Sequence, residues 1–64
     1  MEFNEKLKEL RSSRGITQEE LAEALFVSRT AISKWESGDT VPNTDTLKLL
    51  SKEFDVSINT LLGE

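Results

Sequence analysis

The side chains best suited to chemistry in this 64-residue chain lie on one short stretch, between Ser28 and Lys34. At roughly 100° per residue, a helix over this stretch turns a set of hydrogen-bonding side chains outward: Arg29, Thr30, Ser33 and Lys34. Arginine and lysine donate to O6 and N7 of guanine, and threonine offers a hydroxyl or a methyl group to thymine. Because no acid interrupts this face, it is suited to reading base edges in the major groove of double-stranded DNA.

The composition disfavours catalysis and metal binding. The chain contains no cysteine, histidine or tyrosine, so it lacks the commonest metal ligands and most of the usual acid–base and nucleophilic groups. Its carboxylates are scattered over positions expected to face solvent. We therefore expect no enzyme activity, no metal site and no cofactor.

The overall charge does not favour a nucleic-acid partner by itself. Eight Lys and Arg against twelve Asp and Glu give a net charge of −4. An even mixture of these charges would repel a polyanion. Binding to DNA therefore requires the cations to be gathered on one face and the acids elsewhere.

Helical periodicity organises the chain around this stretch, and no alternating strand pattern, repeat or linker is found. A first helix is predicted over Phe3–Ser13. The segment Thr17–Glu20 reads Thr-x-x-Glu, a capping box that starts a second helix. Phe26–Ser28 forms a tight turn, and the third helix covers Arg29–Glu36.

Two further helices follow, and no apolar run approaches the length of about 20 residues that spans a bilayer. The fourth is predicted from a cap at Asn43 or Thr44 to about Phe54, and the fifth over Ile58–Leu62. At the tip of the second helix, Gln18 lies beside unpaired N–H groups and the positive end of the dipole, where a phosphate oxygen could be held. The chain is therefore predicted to be a single all-α domain of five helices, without a membrane partner.

The sequence from about Phe3 to Leu62 resembles the phage-repressor and Cro-type helix-turn-helix family, also called the xenobiotic-response-element family. The matching segments are Gly15–Ala22, Val27–Glu36, Gly38, Pro42 and Phe54–Ser57, in this order and spacing. The resemblance implies a compact lambda-repressor-like domain over residues 1–64, with the helix-turn-helix at 17–36. It also implies a sequence-specific DNA-binding regulator of transcription, which we expect to be a repressor. The expected location is the cytoplasm, which the absence of cysteine fits.

The resemblance also implies roles for individual residues. Gln18 matches a glutamine that contacts a DNA phosphate, and Ser28 is expected to help fix the register on the backbone. The expected base contacts are Arg29, Thr30, Ser33 and Lys34. Arg11 and Glu36 match two residues that form a buried ion pair between the first and third helices of such proteins.

Two departures from the family pattern affect these expectations. The turn commonly has glycine where this chain has Phe26, and we expect the turn to adjust so that Phe26 packs or lies partly exposed. The loop after the third helix often supplies cations, whereas here Asp39 is the one charged residue of Asp39–Thr44. Backbone N–H groups of Ser37–Thr40 and the hydroxyls of Thr40 and Thr44 are expected to hold phosphates instead.

With so few cationic contacts, the monomer is expected to bind DNA weakly. A homodimer on a pseudo-palindromic operator, with half-sites about 34–36 Å apart, would double the contacts. Ile58 and Leu62 are the candidate interface residues, because the core does not need them.

A further C-terminal effector domain, outside this chain, is also expected. The alternative is a protein-interaction module, antitoxin-like or adaptor, that keeps the fold but binds another protein.

Overall fold

The computed structural model describes residues 2–63, and all regular secondary structure within this range is helical. The helices are α1 (Phe3–Ser13), α2 (Gln18–Leu25), α3 (Arg29–Ser37), α4 (Thr44–Phe54) and α5 (Ile58–Leu61). The predicted all-α, five-helix architecture is therefore confirmed. The boundaries differ by one residue in two places, since α3 includes Ser37 and α5 ends at Leu61. No described helix is long and apolar enough to cross a membrane.

The helix starts are fixed by side chains, as the sequence indicates. Thr17 Oγ1 accepts from the backbone N–H of Glu20 at 3.0 Å, and Glu20 Oε1 accepts from the backbone N–H of Thr17 at 2.8 Å. This is the predicted capping box, which satisfies two N–H groups that the first turn of a helix leaves unpaired. Asn43, the first of the two predicted candidates, caps α4 through its side-chain oxygen.

The core lies where the five helices meet, and each helix contributes one fully buried aliphatic side chain. These are Leu7, Leu21, Ile32, Leu50 and Leu61. Helix α3 packs against both α1 and α2, so its opposite side faces outward. Trp35 is only 7% exposed and packs in the core beside Ile32 on the inner side of α3.

Arg14, which follows α1, contacts the C-terminal end of α4. Its Nη2 donates to the backbone oxygen of Phe54 at 2.9 Å, and its guanidinium lies 5.6 Å from the centre of the Phe54 ring. A cation at the C-terminal end of α4 is favoured by the helix dipole and by the ring face. Arg14 therefore connects α1 to α4.

The turn between α2 and α3 contradicts the expectation for Phe26. The residue adopts the left-handed conformation (φ 59°, ψ 41°) as the C-cap of α2, and it is 93% exposed. The turn keeps the geometry for which glycine is suited, because the N–H of Val27 must donate to the oxygen of Ala22 at 3.0 Å. The left-handed backbone directs the phenyl ring away from the core, so the ring neither packs nor is partly covered.

Candidate nucleic-acid interface

The N-terminal half of α3 presents the predicted contact residues to solvent. Ser28 caps the helix, because its Oγ accepts from the backbone N–H of Ala31 at 3.1 Å. Ile32 and Trp35 are buried on the inner side. The residues on the outer side are all exposed: Arg29, Thr30, Ser33 and Lys34. No salt bridge within residues 2–63 involves Arg29 or Lys34, so both cations are available to a ligand.

Three side chains from α1, α2 and α3 form a hydrogen-bonded network beside this face. Arg11 Nε and Nη2 donate to the two carboxylate oxygens of Glu36 at 2.6 and 3.0 Å. Gln18 Nε2 donates to Glu36 Oε1 at 3.1 Å. The side chains of Arg11 and Glu36 are only 15% and 4% exposed, so the ion pair that the family resemblance implies is present and well shielded.

The network is satisfied on both partners, which is what a shielded ion pair requires. Arg11 Nη1 donates to the backbone oxygen of Ile16 at 2.9 Å, which also ties down the loop before α2. The hydrogen bond to Glu36 raises the pKa of Arg11, against the opposing effect of burial. A raised pKa keeps the guanidinium charged, so the stabilisation that this shift represents is fully present at neutral pH and is lost as the pH rises through the strongly alkaline range.

The network fixes the orientation of Gln18 at the tip of α2. An amide nitrogen carries two hydrogens, and Glu36 takes one from Gln18 Nε2. The second hydrogen remains for an acceptor outside the protein. Gln18 and Arg29 line the same shallow cleft of about 400 Å³, together with Arg11 and residues 15–17 and 19. The ends of α2 and α3 that carry these two donors are therefore on one side of the molecule.

The loop after α3 differs from what we expected of it. The backbone N–H groups of Gly38, Asp39 and Thr40 donate to the oxygens of Trp35 and Lys34 and so close the end of α3. They are used inside the protein, so the expectation that N–H groups here hold phosphates is wrong for these three. The side chains of Thr40 and Thr44 are exposed, and their role as phosphate contacts stays a prediction.

The two predicted interface residues lie against different depressions of the surface. Leu62, which is 38% exposed, lines a cleft with Trp35 and the exposed Val41. Ile58 is half-buried and lines a separate groove with Leu49 on α4. Sequence reasoning overlooked Val41 and Leu49, although both are large apolar residues on exposed surface. The exposure of Leu49 could have been predicted from its position opposite the buried stripe of α4, and that of Val41 from its position in the loop before α4.

Comparison with known proteins establishes the family. A helix-turn-helix family model matches residues 7–61, so the chain belongs to the helix-turn-helix family, which confirms the resemblance. The chain is 63% identical over 63 residues to the transcriptional activator BcrR of Enterococcus faecalis, covering 98% of this chain and 31% of BcrR. It is 41% identical to the transcriptional regulator ImmR of Bacillus subtilis, covering all of this chain and half of ImmR.

A solved structure has the same fold. The P22 c2 repressor, in complex with a synthetic operator, superposes with a TM-score of 0.92 at 35% identity, covering 97% of this chain and 94% of the repressor chain. The chain thus covers nearly all of that repressor chain in structure but spans only about a third to a half of the two regulators. These relatives are regulators of transcription, as the sequence predicts for this chain.

Proposed function

We propose that this chain is a DNA-binding module of a transcription regulator and that it places α3 in the major groove of a specific duplex site. The observation that carries the proposal is the outer face of α3. It holds two exposed cations, Arg29 and Lys34, with two hydroxyls between them and no acid. The chain is also similar to a repressor whose structure was determined with its operator. The cellular location that follows from this role is the compartment that holds the DNA, the cytoplasm.

The geometry supports different roles for α2 and α3, with the N-terminus of α2 contacting the DNA backbone and the outer face of α3 contacting the bases. Gln18 is held by Glu36 with one amide hydrogen free, which suits a phosphate oxygen beside the N-terminus of α2. Phosphate contacts of this kind set the register on the duplex without reading sequence. Arg29, Thr30, Ser33 and Lys34 then read the bases, and Ser28, Thr40 and Thr44 add backbone contacts. The sign of regulation is set by where the operator lies relative to the promoter, and the relatives include both an activator and a repressor.

A homodimer follows from the small size of this contact set. Two cations facing DNA supply little of the counterion release that drives affinity, so one domain alone would bind weakly. Val41 and Leu62 line the cleft beside Gly38, at the C-terminal end of α3. A second copy seated there would bring two α3 helices onto neighbouring half-sites of a pseudo-palindromic operator.

The experiment is a selection from random duplex DNA, followed by titrations of the selected site over a salt series. Arg29→Ala and Lys34→Ala should each weaken specific binding by about 1–3 kcal/mol, and the slope of affinity against salt concentration measures how many phosphates the domain neutralises. Lys8→Ala on α1 is the matched control, because it removes the same charge from an exposed position outside α3. Equal effects of Lys34→Ala and Lys8→Ala, or no selected sequence at all, would reject the proposal in favour of the protein-interaction alternative.

A further inference from the structure

Phe26 is the most anomalous residue of the molecule. Four other described residues have positive φ: Gly15, Gly38, Asp55 and Gly63. Glycine has no steric penalty in this region and aspartate tolerates it, whereas a bulky side chain is strained there. Phe26 combines this strain with an exposure of 93%. Glycine at this position would remove both costs, so the folding of the domain does not account for a phenylalanine here.

The surroundings of Phe26 are acidic. Glu19 and Glu23 are exposed and lie four residues apart on α2, which places like charges side by side. Neither is in a salt bridge within residues 2–63, and no lysine or arginine occurs from Gly15 to Ser28. We call Glu19, Glu23 and Phe26 the acidic ridge. Its charge disfavours the DNA backbone as the partner of the ring and favours a cationic apolar surface.

A surface of that kind exists on the same molecule. A groove of about 340 Å³ lies between α4 and α5, and Lys48, Leu49, Ser51, Lys52 and Ile58 line it. Leu49 is 45% exposed, both lysines are exposed, and no acid is among the lining residues. An enclosed apolar cavity of about 150 Å³ already admits benzene, so this open lysine groove has room for a phenyl ring.

The lysine groove continues towards the C-terminal end of α2. A second cleft, of about 220 Å³, joins Ala24 and Leu25 of α2 to Leu49 and Lys52, with Glu53 on its rim. It shares Leu49 and Lys52 with the lysine groove, and Phe26 directly follows Leu25. Two complementary surfaces on one molecule can pair twice about a two-fold axis, since an isologous contact repeats each pairing.

We propose that two copies of this chain meet reciprocally through this face, each inserting Phe26 into the lysine groove of the other while Glu19 and Glu23 face Lys48 and Lys52. Each ring buries at most about 150–250 Å², so the contact falls below the 1,200–2,000 Å² of a stable interface. It is therefore a weak association. It uses neither the outer face of α3 nor the cleft of Val41 and Leu62, so it does not depend on the proposed function.

The experiment is site-specific cross-linking without DNA. Since the chain has no cysteine, chains carrying Glu23→Cys are mixed with chains carrying Lys52→Cys and treated with a short flexible bismaleimide. Lys8→Cys on α1 replaces Lys52→Cys as the matched control. We expect mixed dimers to form on the order of tenfold faster with Lys52→Cys than with Lys8→Cys. Adding Phe26→Gly to the first chain should remove this advantage, because the buried ring supplies most of the contact.

A charge exchange tests the pairing itself. Adding Glu19→Lys to the first chain should slow cross-linking to the control rate, and adding Lys48→Glu to the second chain as well should restore it. Phe26→Gly is expected to keep the helical circular dichroism and to raise the melting temperature by a few degrees, so the loss of cross-linking cannot be attributed to unfolding. The proposal is overturned if Lys52→Cys reacts no faster than Lys8→Cys, if Phe26→Gly changes nothing, or if the charge exchange fails to restore the rate. Because the assay contains no DNA, failure of the DNA-binding proposal leaves its outcome unaffected.

Discussion

Helix α2 begins and ends in opposite ways. At its start, Thr17 and Glu20 satisfy each other's backbone N–H groups, and Gln18 is anchored to Glu36. At its end, Glu23 stands in a last turn without a basic residue, where the dipole disfavours an acid, and Phe26 is strained and exposed. The start of α2 therefore has the side-chain caps that stabilise a helix. Its end has an acid in the last turn and a bulky residue with left-handed backbone, and both lower helix stability.

The contrast corresponds to different demands on the two ends. A side chain that contacts a phosphate has to be placed within a fraction of an ångström, so the start of α2 needs a rigid supporting network. The end of α2 needs only to turn the chain into α3, and the hydrogen bond from Val27 to Ala22 achieves this. Residues there are therefore free to serve a contact outside the domain, at some cost in stability.

The largest expected effect comes from breaking the network at the start of α2. Arg11→Met should lower the free energy of unfolding by about 3–5 kcal/mol, because it leaves the shielded carboxylate of Glu36 without its partner. Urea denaturation measures this directly. Lys8→Met is the matched control, since Lys8 is an exposed cation on the same helix and should change stability by less than about 0.5 kcal/mol.

The loss of stability in Arg11→Met is expected because Glu36 is left unpaired, not because a positive charge is removed. Arg11→Met combined with Glu36→Leu should recover most of the loss, because no charge is then left buried. A loss below about 1 kcal/mol in Arg11→Met alone would show that water reaches Glu36 and that the network does not hold Gln18 rigidly.

The two ends of α2 also differ in how well the sequence predicts them. The capping box at Thr17 is a local pattern whose bonds span three residues, and the structure has it as predicted. The five helices follow from apolar periodicity for the same reason. Phe26 was mispredicted because propensity argues that a bulky residue avoids positive φ, whereas the packing of α2 against α3 imposes the turn regardless of the residue. Tertiary context overrode the local preference.

Within the candidate interface, the outward face of α3 was predictable from helical spacing alone, because its four polar residues recur opposite Ile32 and Trp35. The hydrogen-bond partners of individual side chains were not predictable from the sequence. Arg14 contacts Phe54, 40 residues away, and no spacing rule brings those two together. The use of backbone N–H groups of the Gly38–Thr40 loop to close α3 depends on the exact fold of that loop, which sequence reasoning cannot supply.

An intermediate effect is expected from removing the cap of α2. Thr17→Ala should cost about 1 kcal/mol, because the backbone N–H of Glu20 loses its side-chain acceptor. For a domain of this size that corresponds to a fall of about 4–8 °C in the melting temperature, which calorimetry detects. Thr30→Ala on the outer face of α3 is the control, since no hydrogen bond in residues 2–63 involves its side chain. If both alanines had the same small effect, the start of α2 would be no better fixed than an exposed surface.

The smallest expected effect has the opposite sign and comes from the end of α2. Phe26→Gly should raise the free energy of unfolding by about 0.5–1 kcal/mol, because relief of about 1–2 kcal/mol of left-handed strain exceeds the extra chain entropy of glycine. Asp55→Gly is the matched control, since Asp55 ends α4 with nearly the same φ, 54° against 59°, but aspartate tolerates this conformation. Its stability should change by less than about 0.5 kcal/mol. If Phe26→Gly were destabilising, the ring would be contributing to the fold, and the contrast between the two ends of α2 would disappear. A stabilised Phe26→Gly beside an unchanged Asp55→Gly would mean that phenylalanine is carried at this turn against the stability of the domain, which is what a residue serving an intermolecular contact requires.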